Sequence, residues 1–458
     1  MATPNIVLLM SDQQKATSLG LYGNPDVRTP VLEALAAEGV LNQHYFVQHP
    51  LCFPSRCTIM TGRYPHAHGV TTNSRPLPAA ERTLAELLHD AGYQNGVVGH
   101  FHANSGGGRG FDYTHDMGEG VLRQLWAERR MLAEAQPRRV QHMVAQTANP
   151  PDEDMNGKIT ELGLGFLDQT DRARPFFLQI AWIDPHPPFF APAPYDTHYD
   201  RAGLALPPAE PDFASKPPAQ RQTAQDMGTL DAPEAEVRDA LAHYYGMVSH
   251  LDDQVGRVLA YLDREGLRDN TIIVFTSDHG DYAGEHHMFG KSCTLYDCLV
   301  RVPLVLAGPT NLVPSGQVVG GLTQSVDLLP TLLDLSGIAV PDNVQGQSWR
   351  TRWEGDSQVD DMVFAQVGAQ PPEMVSDPVR GNNIPFGPPA SGRQVELSVM
   401  ARTSEWKLVY TPGRETNELY HLAEDPWELQ NRYARAADQP QVATLLRSLL
   451  DWRLETNQ

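Results

Sequence analysis

Short apolar runs recur along this chain at Asn5–Met10, Gln94–Val98, Phe176–Trp182, Thr271–Thr276 and Val302–Leu306, with stretches of helical spacing between them. A strand with one wet face alternates polar and apolar residues, whereas a strand buried on both faces does not. The pattern therefore predicts an α/β fold: a large mixed, mostly parallel sheet sandwiched by helices. Helix punctuation agrees. Thr29-Pro30 opens a helix closing near Gly39, with proline in its first turn and glycine past its end. Thr83 with Glu86 reads as a capping box ahead of a helix that stops before Gly92. The longest helix is predicted from near Asp231 to about Glu265. Val237, Leu241, Tyr244, Val248, Leu251, Val255, Leu259 and Leu262 form its sheet-facing stripe.

Three regions break the alternation: the glycine-rich Ser105–Gly110, the proline-rich Pro187–Pro218 and a long irregular loop at Gly368–Gly392. Past about Trp353 the pattern changes to strand-like pieces at Met362–Gln366, Val395–Arg402 and Lys407–Tyr410, then a terminal helix from about Gln439 to Leu454. We expect a catalytic α/β unit over 1–352 and a small α+β C-terminal subdomain over 353–458. Acidic residues outnumber basic ones by 56 to 35, a net charge of −21 that argues against nucleic acid or anionic lipid as a partner. No run approaches the ~18–20 apolar residues of a membrane span, and the start lacks the basic and apolar regions of a signal peptide. The four cysteines are too few for a disulfide framework and lack zinc-site spacing. A cytoplasmic location is the expectation. The long proline-rich loops are compatible with a homo-oligomer.

Asp12 directly follows the first predicted strand, and Asp278-His279 follows another. Ligands of open α/β sheets bind beyond the carboxyl ends of the strands, so these residues should converge there. Two carboxylates and an imidazole suit a divalent cation, although an aspartate after a strand is also a common helix cap. The most telling segment is Cys52-Phe53-Pro54-Ser55-Arg56, continuing to Thr61-Gly62. Pro54 suits the first turn of a helix ending near Gly62, which places Cys52 just before a helix start that favours negative charge. A buried cysteine is usually packing. The proline, arginine and Thr-Gly at fixed offsets outweigh that reading.

These residues resemble the signature of the sulfatase family, within the alkaline-phosphatase-like superfamily. The resemblance extends through Gly99–His102, Pro185–Phe189, Thr276–Lys291 and Glu418–Tyr420. It implies that a formylglycine-generating enzyme converts Cys52 to Cα-formylglycine. It also implies one divalent metal, calcium or manganese, on Asp12, the modified Cys52, Asp278 and His279, with Gln13 as an uncharged further ligand. Arg56 and Lys291 would neutralise the transferred group, His186 would hold or protonate the leaving group, and His102 would take a proton. Each has a plainer alternative, Lys291 as a surface lysine and His186 as a turn residue among them. His66, His68, His286 and His287 are read as structural, and Asp252 and Asp253 as a solvated face or a cap contact.

Asp12-Gln13 stands where many sulfatases have two aspartates, and Gly99-His100-Phe101-His102 where many have Gly-Lys-Trp-His. These departures, the step from Asp278 to Lys291, and Asn73 as a substrate contact resemble the phosphonate monoester hydrolase and choline-sulfatase branch. His100, also taken to face substrate, removes one fixed positive charge when neutral. The leading expectation is hydrolysis of a small-molecule sulfuric ester. Hydrolysis of a phosphonate monoester or phosphodiester at the same site is the close rival, and an anion-binding protein with an unmodified Cys52 is the non-enzymatic one.

Overall fold

The computed structural model describes residues 3–102, 106–116, 144, 154–210, 212–227, 229–353, 362–368, 373–374, 394–395, 397–413 and 417–457. Its large sheet holds β1 (Asn5–Ser11), β2 (Val40–Phe46), β3 (Gln94–Gly99), β4 (Tyr113–Asp116), β5 (Phe176–Ala181), β6 (Thr271–Ser277), β7 (Arg301–Ala307) and β8 (Gln317–Gln324). Their order is β4-β3-β5-β1-β6-β7-β2-β8. Only β7 runs antiparallel to its neighbours; every other pairing is parallel. All five apolar runs are strands of this sheet, with ends shifted by a residue or so.

β1 is buried along its whole length. Val7 and Leu9 enter the core beneath the long helix, while Ile6, Leu8 and Met10 enter the core of the opposite face. Covering both faces is what makes the run continuously apolar. The long helix spans Glu234–Arg264, starting after Pro233 rather than at Asp231. Leu241, Tyr244, Val248, Leu251, Val255 and Leu262 are buried, and Val237 and Leu259 pack at the edge of the same core. The Thr83–Glu86 capping box is present and opens the helix Leu84–Asp90.

Helix α1 (Pro30–Glu38) begins at Thr29, whose side chain makes no cap. The cap comes instead from the long helix. Asp252 is 1% exposed, and its two oxygens accept from Val31 N at 2.9 Å and Leu32 N at 2.8 Å. Of the two readings offered for this residue, the cap contact is the observed one. Asp253 is exposed and bonds Tyr195 Oη.

The C-terminal part forms a separate antiparallel sheet of Glu418–His421, Trp406–Tyr410, Ser398–Arg402 and Val363–Val367. The terminal helix Gln439–Glu455 covers one face through Val442, Leu445, Leu449 and Trp452. Val363, Ala365, Val367, Met400 and Val409 extend the core of the large sheet. A buried charge cluster also joins the two parts. Asp297 accepts from Arg402 at 3.0 Å and Lys407 at 2.9 Å, and Lys407 pairs with Glu428 at 2.7 Å. Burial would raise the Asp297 pKa, but Arg402 and Lys407 hold it well below the usual carboxylate range. The loop expected at Gly368–Gly392 lies outside the described residues except for Gly368 and Glu373–Met374; Ser105 of the glycine-rich segment also lies outside. Among the described residues, no helix is long and apolar enough to cross a membrane.

The Asp252 contact yields a stability prediction. Asp252→Ala orphans two N–H groups at a buried helix start and should lower stability by about 2 kcal/mol. Asp252→Asn, which keeps one acceptor, should lose less. Urea unfolding of the two variants checks the order; equal midpoints for Asp252→Ala and the native chain would contradict the cap.

Candidate active site

Every carboxyl end of the inner parallel strands delivers a polar side chain to one place. β1 and β6 pair in register through Ser11 and Ser277, so Asp12 and Asp278, one residue further on, leave the sheet side by side. Both are fully buried. Gln13 follows in the left-handed region at φ 70°, a conformation uncommon for a residue with a side chain. The turn is held by Gln13 N donating to Asp278 Oδ1 at 3.1 Å and by Tyr244 Oη donating to Gln13 O at 3.3 Å. From β3, Gly99 turns at φ 93°, where a Cβ would stand 2.1 Å from Ala181 O. Only glycine fits there. The turn lets His100 N donate to Ala181 O at 2.8 Å and directs His100 and His102 to the site, their rings 4.4 Å apart. β5 leads to Asp184, whose carbonyl accepts from Asp12 N at 3.2 Å, and so to His186.

Helix α2 (Cys52–Thr61) brings the signature. Cys52 is its first residue rather than the one before it, and Gly62 ends it in the left-handed region at φ 64°. Cys52 Sγ lies 2.9 Å from Lys291 Nζ, 3.2 Å from His279 Nε2 and 3.9 Å from Asp12 Oδ1. His279 Nδ1 sits 2.9 Å from Gly280 O. A carbonyl only accepts, so Nδ1 carries a proton and Nε2 faces the cluster. Ligand atoms of Asp12, Cys52, Asp278 and His279 all fall within 4.8 Å of one another.

The electrostatics are those of a cation site. Burial, then Asp278, push Asp12 up to about 8, because two desolvated carboxylates resist sharing negative charge. Burial also acts to raise Asp278, but Arg56, His279 and Lys291 overcome it and hold Asp278 at about 2. Burial lifts the thiols of Cys57, Cys293 and Cys298. It opposes ionisation of Cys52 too, yet Lys291 and His279 bring that group well below the ordinary thiol range. Among the four cysteines, the one in the signature is the one made nucleophilic.

The expected residues do not all face the same way. Arg56 is committed to the carboxylates: Nε donates to Asp278 Oδ2 at 2.8 Å, Nη2 to Asp12 Oδ2 at 3.1 Å and Nη1 to His100 O. Lys291 alone of the two cations reaches Cys52. His186 is buried with Nδ1 at 2.6 Å from Pro187 O. Asn73 is exposed beside the helix start, its Oδ1 accepting from Phe53 N at 3.0 Å. His66 bonds Gln366 and Thr456, and His68 bonds Thr58, as structural histidines do. His286 bonds Glu210 at 2.7 Å and stacks on Tyr296. Although Glu285, His286 and Cys298 also cluster, Lys15 neutralises Glu285 at 2.7 Å, so that group is already charge-matched.

Sequence reasoning missed Asp281. It is fully buried and accepts from Gln13 Nε2 at 2.7 Å, Ala283 N at 2.6 Å and Gly290 N at 2.9 Å. The available signal was its place three residues after Asp278, on the loop returning to Lys291.

Comparison with known proteins agrees with this geometry. The chain matches the family model for Sulfatase over residues 4–338. An uncharacterized sulfatase, YidJ, of Escherichia coli K12 is 30% identical over 368 residues, covering 76% of this chain and 71% of its own. An arylsulfatase of Clostridium perfringens is 30% identical over 374 residues, covering 75% and 77%. The solved phosphonate monoester hydrolase of Silicibacter pomeroyi superposes with a TM-score of 0.81 at 26% identity, covering 99% of this chain and 96% of that one. The family match, over a site built from the signature cysteine and its buried carboxylates, identifies the chain as a member of the sulfatase family.

Proposed function

We propose that the protein hydrolyses sulfuric esters of small molecules, with Cys52 carried as Cα-formylglycine and one divalent cation, calcium or manganese, held by Asp12, Gln13, Asp278 and His279. The observation that carries this reading is the meeting of Cys52, Lys291, His279 and two buried carboxylates within hydrogen-bonding and ligand distances. The residues fit a cation. Gln13 Oε1 is buried with no hydrogen-bond partner among the described residues, an acceptor left over beside two carboxylates. When bound, the cation supplies Lewis-acid polarisation.

The remaining chemistry belongs to the chain. Sγ of Cys52 stands in for the hydroxyls of the hydrated aldehyde. One hydroxyl gives up its proton and its oxygen attacks sulfur while the ester oxygen departs, taking a proton from His186. Lys291 Nζ, 2.9 Å from the Cys52 terminus, offsets charge on the nucleophile and then on the sulfuryl oxygens. His102 next takes the proton of the second hydroxyl. The carbon–oxygen bond to sulfate breaks, sulfate leaves and the reformed aldehyde adds water to regain its hydrate, so that the net change is ester plus water to alcohol plus sulfate. Arg56, bound to Asp12 and Asp278, fixes both carboxylates in place and favours the ionised form of Asp278.

His100 suits a second reading equally well, hydrolysis of phosphonate monoesters or phosphodiesters. Its ring is 23% exposed, with Nε2 3.9 Å from Asp12 Oδ2. A neutral ring there suits a transferred group with one negative charge, which sulfate monoesters and phosphonate monoesters share. Relative rates on an aryl sulfate and an aryl phosphonate monoester decide between the two.

Four outcomes are expected. Peptide mass spectrometry of protein made with the modifying enzyme should find the aldehyde at Cys52 and thiols at Cys57, Cys293 and Cys298. Cys52→Ser should fold and esterify once but not turn over, for want of a second hydroxyl; full activity with an unmodified Cys52 would refute the mechanism. Asp278→Ala should lose bound cation together with at least about 10³-fold in kcat/KM, corresponding to several kcal/mol of lost stabilisation. Finally, His100→Lys should raise the preference for dianionic phosphate monoesters over monoanionic diesters about tenfold by adding fixed charge. An unchanged ratio would remove His100 from the substrate face.

A further inference from the structure

Gln13 poses a chemical problem that a carboxylate would not. An amide offers a cation an oxygen on one side and an NH2 on the other, and the two differ by a half-turn about one bond. If this residue serves the cation, something must choose between them. Its backbone is already fixed: N bonds Asp278 Oδ1, O accepts from Tyr244 Oη, and φ is 70°. Only one side of the amide is bonded among the described residues. Nε2 donates to Asp281 Oδ2 at 2.7 Å, and Oε1 is buried with none among the described residues. Asp281 cannot rotate to accommodate the other orientation, because its Oδ1 accepts from both Ala283 N at 2.6 Å and Gly290 N at 2.9 Å. An ionised carboxylate only accepts, so a flipped Gln13 would set oxygen against oxygen.

The geometry points to Asp281 as a positioning residue that turns the Gln13 carbonyl oxygen, not its NH2, toward the cation held with Asp12, Asp278 and His279. The same carboxylate grips Gly290, the residue before Lys291, so the metal side and the anion side of the site share one anchor. Buried partners of this kind commonly govern metal affinity as strongly as the weaker ligands themselves. The inference rests on the metal reading given above, and its test separates the two.

Full-length protein, stripped with a chelator, is titrated calorimetrically with manganese(II) alone. Asp281→Asn can donate as well as accept, so it frees the amide to flip; the expected dissociation constant is about 10–100-fold higher, with the native circular dichroism spectrum retained. Adding Gln13→Glu to Asp281→Asn should restore affinity, because a carboxylate presents oxygen in either orientation and the asparagine NH2 can hold its outer oxygen. Native affinity in Asp281→Asn overturns the inference, and so does a weakened variant that Gln13→Glu fails to rescue. If Asp281→Asn does not fold, Gln13→Leu reads the contact from the other side. It leaves the Asp281 backbone bonds intact and should weaken manganese comparably, while native affinity there would overturn the inference. Asp278→Ala, titrated in parallel, tests the metal reading itself: native affinity in that variant sinks the cation site, whereas its loss with Asp281→Asn unaffected sinks only the positioning role.

Discussion

Two carboxylates forced together without water are the constraint around which this molecule is arranged. The register of β1 against β6 brings Asp12 and Asp278 out at one level, and the helices on both sides bury them completely. Left alone, such a pair takes up a proton. The elements that converge here supply the opposing charge instead: α2 contributes Arg56, the β6 loop contributes His279, and its return contributes Lys291. Arg56 is therefore best understood through the carboxylates it bridges. The signature arginine bridges the acidic pair and opposes the effect of burial on both, while the signature cysteine, one helical turn earlier, lies in the positive field of Lys291 and His279.

How much of this was legible in the sequence depends on what surrounds each residue. The strands buried on both faces announce themselves, since the polar residues of β1 and β6 are confined to their ends and the stretches Ile6–Met10 and Ile272–Phe275 are wholly apolar. β2 reads Val40-Leu41-Asn42-Gln43-His44-Tyr45-Phe46 and carries a register irregularity near Asn42, so its polar middle hides it. β8 lies at the sheet edge, is half exposed and contains two adjacent glycines. Edge strands of this kind give weak signals because they need less apolar surface. Asp12, Cys52, Asp278, His279 and Lys291 were readable by position and family pattern, and the fold does bring them together. Asp281 was not, and for Asp252 a cap contact was readable but its partner was not, because each accepts from a residue more than two hundred positions away, the Gln13 side chain for one and Val31 N for the other, which no local pattern encodes.

The directions of the remaining residues were equally beyond the sequence. Asn73 is exposed and His186 buried, and which group each faces depends on loop conformation; Asn73 accepts from Phe53 N, and His186 Nδ1 lies against Pro187 O. The left-handed turn at Gln13 shows the same principle from the opposite side. A residue with ordinary helical and strand preferences is held in an uncommon conformation because Asp278, Tyr244 and Asp281 together over-determine it.

The Asp297 cluster has a consequence for how the chain comes apart. Arg402 and Lys407, from the small sheet, are the cations that neutralise an aspartate standing immediately before β7 of the large one. Peeling the C-terminal sheet away would part that half-buried carboxylate from both its cations and bare Val363, Ala365, Val367, Met400 and Val409, which belong to the core of the large sheet. The two sheets should accordingly melt as one cooperative unit. Proteases would find no stable core fragment ending near residue 352, and the two-part architecture visible in the topology would be invisible to hydrogen exchange.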